Sequence, residues 1–239
     1  MSDSIKTSKE QTNQLKTNQL KNKSSEINHL SHSAQSSVLI HDLNSEFPRI
    51  NPYELFEQWY SEAEKKEIEY PDAAALATVS EEGRPSVRIV LVKKHGPEGF
   101  VFYTNLGSQK ARELLSNPNA ELCFLWKSLK RQLRISGTMK SVQPEEADQY
   151  FASRPKISQL GAWASKQSQP LIGRFELEKR VAQRTAEFGV SEVPRPPWWS
   201  GFRLFPDKFE FWQEKPFRLH ERFVVRLKDK EWIKQELFP

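Results

Sequence analysis

Two arginines flank a histidine in the segment FRLHERF, near the C-terminus of this 239-residue sequence. Side chains two residues apart share a face of a strand, so Arg218, His220 and Arg222 would form one row. Two permanent cations would then lie on either side of an imidazole that titrates near neutral pH. Such a row favours an anionic ligand. The alternative is a solvated edge strand whose charges discourage aggregation.

A second cluster lies in PEEADQYFASRP, whose pattern predicts a helix near residues 144–153. Tyr150 and Arg154 are four residues apart and would share a face of that helix. Pro155 is expected to end the helix and to leave Ser158 in the loop beyond it. Tyrosine, arginine and serine are apt donors to a phosphate group. An ordinary amphipathic helix end is the alternative interpretation.

A third group of donors is spread over several segments. Ser108 is expected to cap a short helix that carries Lys110, and a helix N-terminus beside a lysine is a ready anion site. Arg88 and Lys93 are five residues apart, so strand alternation would place them on opposite faces unless a twist, a bulge or a ligand that wraps the strand end unites them. Further donors are Gln132, Arg134 and the segment KQS at 166–168. The three groups together predict binding of one or more anionic ligands, with phosphate favoured.

Short β-branched and aromatic segments, separated by turn signals, must position these side chains. They include AALATVS, RPSVRIVLVKK, FVFYTN, AELCFLW and RQLRISGTMKSV, with three more strands near 201–206, 208–213 and 219–227. An amphipathic helix is predicted after Asn51, which can cap it, and another near 168–188. Hairpins this closely spaced favour an antiparallel sheet or barrel. The predicted fold is mainly β, a barrel with peripheral helices.

The composition divides the chain unevenly. Residues 1–46 contain no Gly, Pro, Arg or aromatic residue, and their five lysines balance five acidic residues. Such a segment buries too little apolar surface to fold, so we predict a disordered polar tail at 1–46 and one folded domain at 47–239. The single cysteine, Cys123, excludes an intramolecular disulfide and a cysteine-rich metal site. Without a secretory signal or an apolar stretch of roughly 18 residues, a cytoplasmic location is predicted.

Six motifs follow one another within a match that runs from about Asn51 to the C-terminus: RPSVRIVLVK, FVFYTNLGSQK, RQLRISG, YFASRPKISQLGAWASKQS, FEFWQ and RLHER. In this combination they are highly specific, and the chain resembles the pyridoxamine 5′-phosphate oxidase family. The resemblance implies a split β-barrel homodimer, with one flavin mononucleotide (FMN) held in each of two clefts between the subunits.

The resemblance also implies roles for the clusters. The residues that would contact FMN are Arg88, Ile89, Val90, Leu91, Val92, Lys93, Tyr103, Thr104, Gln109, Lys110, Gln132, Gln167, Ser168, Trp212 and Arg222. The substrate would be held by Lys93, Tyr150, Arg154, Ser158, Arg218, Leu219 and His220, with Arg218 and His220 as the catalytic pair. No metal site is expected. The anion clusters would then serve one cofactor phosphate and one substrate phosphate.

The family reaction is the oxidation of pyridoxamine 5′-phosphate or pyridoxine 5′-phosphate by O2 to pyridoxal 5′-phosphate, releasing H2O2 and, from the amine, NH3. FMN carries the redox chemistry, so the protein supplies placement and charge. The sequence departs from the family pattern at Gln109, where arginine is usual, and this implies weaker FMN binding. Residues 1–50 also lack a match to the family's basic, aromatic lid segment.

Two other classes of function stay open from the sequence. One is a non-catalytic FMN or pyridoxal-phosphate binding protein on the same barrel, although a carrier of FMN alone would not need the second phosphate cluster. The other is a nucleic-acid binding protein, which would need a basic stripe with exposed aromatic residues for stacking. Most tryptophans lie in segments typical of a core, so neither nucleic acid nor a membrane is an expected partner.

Overall fold

Eight strands form one antiparallel sheet that carries the helices in the described part of the chain. The structure is a computed structural model, and it describes residues 50–67 and 69–239. The predicted polar tail at 1–46 lies outside these residues, so its disorder stays a prediction. Among the described helices, none is both long and apolar enough to cross a membrane.

The sheet order is β2-β1-β4-β5-β6-β7-β8, and β3 pairs with the first half of β6. The predicted strands are confirmed in number and place up to β5, whereas β8 escaped the sequence analysis. The strands are β1 (Ala73–Val79), β2 (Pro85–Leu91), β3 (Phe100–Asn105), β4 (Asn119–Trp126), β5 (Arg131–Ser141), β6 (Trp199–Gln213), β7 (Glu221–Lys228) and β8 (Glu231–Glu236).

Strand β6 is one element where the sequence predicted two. Pro206 and Asp207 have the composition of a turn, but the register with β5 shifts by one residue here and the strand continues through the irregularity. Gly137 makes this possible, because a Cβ at that position would lie 2.1 Å from the backbone oxygen of Phe205. Only glycine lets the two backbones approach so closely.

The two faces of the sheet differ in character. Directly paired residues point to the same side, so each row of partners across the strands lies on one face. One row is apolar except at its β2 end, and its members from Leu76 to Val225 are fully buried against the helices. This core-face row is Arg88, Leu76, Leu122, Ile135, Phe209 and Val225.

The neighbouring row defines the outer face of the sheet. It carries charges and apolar side chains together, and Ile89 at its β2 end is 65% exposed. The row is Ile89, Ala75, Cys123, Arg134, Glu210 and Val224. Side chains two residues along any of these strands lie on the same face.

Five helices are described: α1 (Pro52–Lys66), α2 (Gln109–Ser116), α3 (Pro144–Ser153), α4 (Lys156–Ala164) and α5 (Glu176–Phe188). As predicted, α1 begins after Asn51, whose side chain accepts the Tyr53 N–H at 3.0 Å. It buries Phe56, and burial of such a side chain contributes about 1.5 to 3 kcal/mol.

The predicted helix near 144–153 is confirmed by α3, whereas the helix predicted over 168–188 was wrong in extent and Ser158 was misplaced. The helix predicted over 168–188 begins only at Glu176, because Pro170 and Gly173 in the preceding segment disfavour helix. Pro155 does end α3, but it also starts α4, since proline is tolerated in the first turn of a helix. Ser158 therefore lies in the first turn of α4 and not in a loop.

The strand ladders leave the sheet open at β2 and β8 in the described residues, so the expected barrel is not confirmed. A single isolated bridge, between Lys94 and Val101, connects the segment after β2 to β3. The established architecture is a mostly antiparallel sheet with several helices.

Candidate active site

The N-terminus of α2 gathers five of the residues predicted to bind FMN. Lys110 donates from Nζ to the Thr104 hydroxyl at 3.2 Å, and Thr104 donates to Oε1 of Gln167 at 3.2 Å. The backbone N–H of Gln109 donates to Oγ of Ser168 at 3.3 Å. Two segments that are far apart in the sequence, 104–110 and 167–168, therefore meet at one helix N-terminus, where backbone N–H groups favour an anion. We name these five residues the α2 cradle.

Ser108 precedes α2 at the predicted capping position, but its side chain makes no capping hydrogen bond. Its hydroxyl instead lies 3.4 Å from Nζ of Lys110 and accepts from it. Ser168 has a φ of 68°, in the left-handed region that non-glycine residues seldom occupy. Such backbone strain is concentrated at functional sites.

Arg88 lies on the core face of β2, where the side of α2 covers it. Its Nη2 donates to Glu113 on α2 at 3.2 Å and to Oγ of Ser86 at 2.8 Å, and its Nη1 donates to the Thr78 hydroxyl. Burial and the nearby charge of Arg88 both lower the pKa of Lys110, so these two cations lie close together. Arg88 thus joins the α2 cradle from the strand side.

Glu113 has the most strongly depressed carboxyl pKa of the described residues. Burial alone would raise this pKa, but hydrogen bonds from Thr78, Ser86 and Gln109, with the charge of Arg88, lower it to about 2. The sequence analysis missed Glu113. The available signal was its spacing of four residues from Gln109, which puts both side chains on one face of α2.

Tyr150 and Arg154 lie beside a common stack of aromatic rings, although Arg154 follows the end of α3 and does not share a helical face with Tyr150. The guanidinium of Arg154 lies 4.9 Å from the ring centroid of Trp199, and the Tyr150 ring stacks on the same tryptophan at 6.2 Å. Nη1 of Arg154 is buried without a hydrogen-bond partner in the described part of the chain. Burial lowers the pKa of Arg154, so its charge is not fully compensated by the surroundings. An orphaned buried cation is suited to an anionic ligand.

Lys93 follows β2, and its Nζ is 2.5 Å from Oδ2 of Asp72. Its backbone N–H donates to the carbonyl of Val101 at 2.7 Å, which fixes this residue beside β3. Lys93 is therefore not part of the strand alternation that governs Arg88. Strand β2 ends at Leu91, so the alternation argument does not apply to Lys93.

The predicted row of Arg218, His220 and Arg222 on one strand face is wrong. Arg218 lies in a short 3-10 turn, Pro216–Arg218, and only Arg222 belongs to β7. Phe217 and Arg218 have positive φ values of 60° and 65°, so the backbone leaves the strand geometry that alternation requires. The turn exposes Arg218 and Leu219 to solvent.

His220 is held by both its ring face and one nitrogen. Its ring centroid is 4.7 Å from that of Trp212, and Nδ1 accepts the backbone N–H of Lys215 at 3.2 Å. A neutral imidazole with Nδ1 as acceptor carries its proton on Nε2. With Nδ1 acting as an acceptor, Nε2 is the ring nitrogen of His220 that is left to donate a hydrogen bond.

Gln132, Trp212 and Arg222 form one cross-strand row on the outer face of the sheet. Arg222 is oriented by Glu210, whose Oε1 accepts from Nε at 2.9 Å. Arg88, in contrast, belongs to the core-face row. The structure thus brings the predicted FMN residues together in two groups on opposite faces, and it does not unite the two groups within one chain.

The comparisons with known proteins decide the family. Residues 60–187 match the family described as pyridoxamine 5'-phosphate oxidase, and residues 199–239 match the pyridoxine 5'-phosphate oxidase C-terminal dimerisation region. The chain belongs to the pyridoxamine 5′-phosphate oxidase family. The resemblance seen in the sequence motifs is confirmed.

Close relatives within the family are enzymes by name. A pyridoxine/pyridoxamine 5'-phosphate oxidase of Rhodospirillum rubrum is 54% identical over 194 residues, which are 79% of this chain and 96% of that protein. The protein of the same name from Rhizobium meliloti is 53% identical over 190 residues, 79% of this chain and 92% of that protein. The prediction of an oxidoreductase is confirmed by these relatives.

Solved structures share the fold. PhzG from Burkholderia lata 383, determined with tetrahydrophenazine-1-carboxylic acid, has a TM-score of 0.76 and 32% identity, covering 80% of this chain and 94% of that chain. A pyridoxamine 5'-phosphate oxidase-related, FMN binding protein from Nostoc punctiforme PCC 73102 has a TM-score of 0.65 at 17% identity, covering 80% and 100% of the two chains. The second similarity concerns the fold alone.

Proposed function

We propose that this protein is an FMN-dependent oxidase that converts pyridoxamine 5′-phosphate or pyridoxine 5′-phosphate to pyridoxal 5′-phosphate, with O2 as the oxidant. The observation that carries the proposal is the presence of two separate cationic clusters. One is the α2 cradle with Arg88, and the other is Arg154 beside Tyr150. A phosphorylated cofactor and a phosphorylated substrate together need two such sites. The names of the relatives support the same activity.

The α2 cradle fits the phosphate of FMN by its chemistry. It offers a lysine, hydroxyl groups of Thr104 and Ser168, an amide and the first N–H groups of a helix, all of which are phosphate donors. Arg88 and Lys110 supply positive charge. Bound FMN would supply the redox chemistry, the transfer of two electrons from the 4′-carbon of the substrate to O2 with formation of H2O2. The side chains of this protein would bind and orient the cofactor and the substrate.

Arg154, Tyr150 and Ser158 would bind the substrate phosphate, with Lys93 between cofactor and substrate. Energy from this remote phosphate contact fixes the orientation of the reacting carbon, which is a large source of rate enhancement. His220, held by Lys215 and Trp212, would present its Nε2–H to the substrate ring. Arg218, on the exposed turn next to it, would cover the ring with a positive charge.

We propose that the working enzyme is a homodimer with each FMN between two copies. The outer-face group of Gln132, Trp212 and Arg222 and the cradle beneath β2 point to opposite sides of one sheet. One flavin that contacts both groups must therefore take each group from a different copy. The match of residues 199–239 to a dimerisation region supports this arrangement.

The outer face continues from the dimerisation region to β2 and is apolar at that end. Val87, Ile89 and Leu125 are 68%, 65% and 54% exposed on this face. Adjacent exposed apolar side chains mark a protein interface, and the occupant we propose is a second copy. We also propose that the sheet forms a split barrel, in which the Lys94–Val101 bridge connects the segment after β2 to β3. The proposed location is the cytoplasm.

The test is an assay of the purified full-length protein. Absorbance is recorded with added FMN, and pyridoxamine 5′-phosphate is then supplied under air while aldehyde and H2O2 are measured. We expect flavin binding, and aldehyde and H2O2 in equal amounts. Flavin binding without either product would favour the non-catalytic binding protein, and failure to bind FMN would overturn the proposal. An Arg154→Ala variant is the control that should bind FMN but turn over slowly.

A further inference from the structure

Glu113 is a buried carboxylate at the centre of a polar network beneath the cofactor cradle. Glu113 is only 7% exposed although it is charged, whereas its buried neighbours on the helix, Ala111 and Leu114, are apolar. Its two oxygens accept from donors of β1, β2 and α2. These are the Thr78 hydroxyl at 2.5 Å, the Ser86 hydroxyl at 2.7 and 2.8 Å, Gln109 Nε2 at 2.8 Å and Arg88 Nη2 at 3.2 Å.

Stability alone does not account for this arrangement. The core-face row that ends at Arg88 is otherwise apolar and fully buried, from Leu76 onward. A buried ion pair often contributes no more to stability than apolar residues of similar volume, because both charges must be desolvated. The network does, however, fix the direction of one group within the cradle and one group beside it. These are the side chain of Gln109 and the guanidinium of Arg88.

Charge balance gives Glu113 a second effect. Arg88 and Lys110 are close enough for the cation of one to disfavour the cation of the other. Without a bound phosphate, Glu113 is the carboxylate that contacts Arg88 and reduces this repulsion. It therefore allows two cations to be held ready at one place before the anion arrives.

We propose that Glu113 is a positioning residue for the cofactor phosphate: it orients Arg88 and Gln109 and balances the charge of the cradle. This inference rests on the proposed function, because it takes FMN as the ligand of the cradle. The proposal predicts the direction in which the FMN affinity changes when the charge of Glu113 is removed. If Glu113 acted only as a nearby negative charge, removing that charge would strengthen phosphate binding, whereas loss of positioning weakens it.

The experiment compares FMN with riboflavin, which has the same ring system but no phosphate. Full-length apoprotein is titrated with each flavin by fluorescence quenching, in the wild type and in Glu113→Gln. We expect FMN affinity to fall about tenfold, the loss of a well-placed hydrogen bond to a charged group, with riboflavin affinity unchanged. Glu62→Gln is the matched control, because Glu62 also pairs with an arginine, Arg131, at 3.0 Å but in another region. It should leave the FMN-to-riboflavin affinity ratio unaltered.

A second variant covers the case in which Glu113→Gln does not fold. Ser86→Ala removes one donor that contacts both Glu113 and Arg88, and it should lower FMN affinity by about threefold with riboflavin unaffected. Equal or tighter FMN binding in the folded variants would overturn the positioning role. Equal losses for both flavins would also overturn it, since they would indicate a structural effect. If the wild type itself does not bind FMN, the proposed function fails instead.

Discussion

The rings of Tyr103 and Tyr150 stack face to face, with centroids 3.9 Å apart and planes inclined by 10°. Tyr103 belongs to the predicted cofactor set on β3, and Tyr150 belongs to the predicted substrate set on α3. Trp199 extends the stack at 5.5 Å from Tyr103. A residue of the predicted cofactor set and one of the predicted substrate set are thus in direct ring contact, so substitutions of Tyr150 should preserve its ring to leave Tyr103 undisturbed.

The Tyr150→Phe substitution removes the hydroxyl of Tyr150 and keeps its ring, so it distinguishes the role of the hydroxyl from that of the ring. The phenyl ring keeps the stack on Tyr103, so we expect FMN affinity and thermal stability to stay close to wild type. The loss of one donor to the substrate phosphate should raise KM about tenfold with a smaller change in kcat. Steady-state kinetics with pyridoxamine 5′-phosphate tests this. A Tyr150→Ala variant is the comparison that should also lower stability, and an unchanged KM in Tyr150→Phe would contradict the assignment.

The Arg154→Gln substitution is predicted to abolish the thermal stabilisation of the protein by phosphorylated ligands. In the wild type the partly buried guanidinium of Arg154, with its buried and unpartnered Nη1, should bind a phosphate, and a ligand present at 100 times its Kd stabilises a folded protein by about 2.7 kcal/mol. Pyridoxal 5′-phosphate should therefore raise the Tm of the wild type, and that of the variant much less. Pyridoxal without phosphate is the control ligand. An equal rise in both proteins would show that Arg154 does not hold the phosphate.

Arg218→Ala is predicted to lower turnover far more than it weakens FMN binding. Arg218 lies on an exposed turn with φ of 65°, and it makes no contact with the α2 cradle in the described structure. We expect kcat/KM to fall at least about a hundredfold, a loss of roughly 2.7 kcal/mol at the transition state. Flavin titration and steady-state kinetics on the same preparation separate the two effects. Parallel losses in both, or full turnover, would remove Arg218 from the reacting centre.

Glu113 should make the folded apoprotein sensitive to acid. Hydrogen bonds and Arg88 hold its pKa at about 2, below the ordinary value of 4.5. A group whose pKa is lower in the folded state stabilises the fold above the unfolded value, and this contribution is lost as the pH falls from about 4.5 towards 2. Urea denaturation should therefore show Glu113→Gln less stable by about 1 to 3 kcal/mol at pH 7, with a smaller difference at pH 3. A pH-independent difference would contradict the depressed pKa.

Much of the fold could be predicted from the sequence, because periodicity reports burial directly. Helix α1 was predicted from its cap at Asn51 and its apolar stripe, and both are present. Ser158 was misplaced because a proline such as Pro155 both ends one helix and starts the next, and local rules do not distinguish these roles. At Pro206 a break between two strands was predicted, but β6 continues. A bulge opposite Gly137 lets the strand pass through this segment of turn composition.

The sequence predicted which residues belong to the candidate site, but it did not predict how they lie relative to one another. Residue types and motifs named Lys110, Thr104 and Ser168, yet their meeting at the start of α2 depends on tertiary contacts. Glu113 escaped because a lone glutamate on a short helix normally faces water, and its burial follows from the donors that β1 and β2 bring to it. Phe217 and Arg218 have positive φ values although neither is glycine, so the sequence does not indicate the turn. Strand alternation therefore predicted the wrong position for Arg218.

Val87→Lys is predicted to weaken both the dimer and FMN binding. Val87 is 68% exposed at the β2 end of the outer face and is not among the residues predicted to contact FMN, so a charge there opposes burial against a second copy. Sedimentation should show a larger monomer fraction than in the wild type. If each flavin lies between two copies, the apparent FMN affinity of the variant must rise with protein concentration, because association restores the site. Val190→Lys, at an apolar residue fully exposed outside the sheet, is the control that should change neither property. A monomeric variant with wild-type FMN affinity at every concentration would show that one chain holds the cofactor alone.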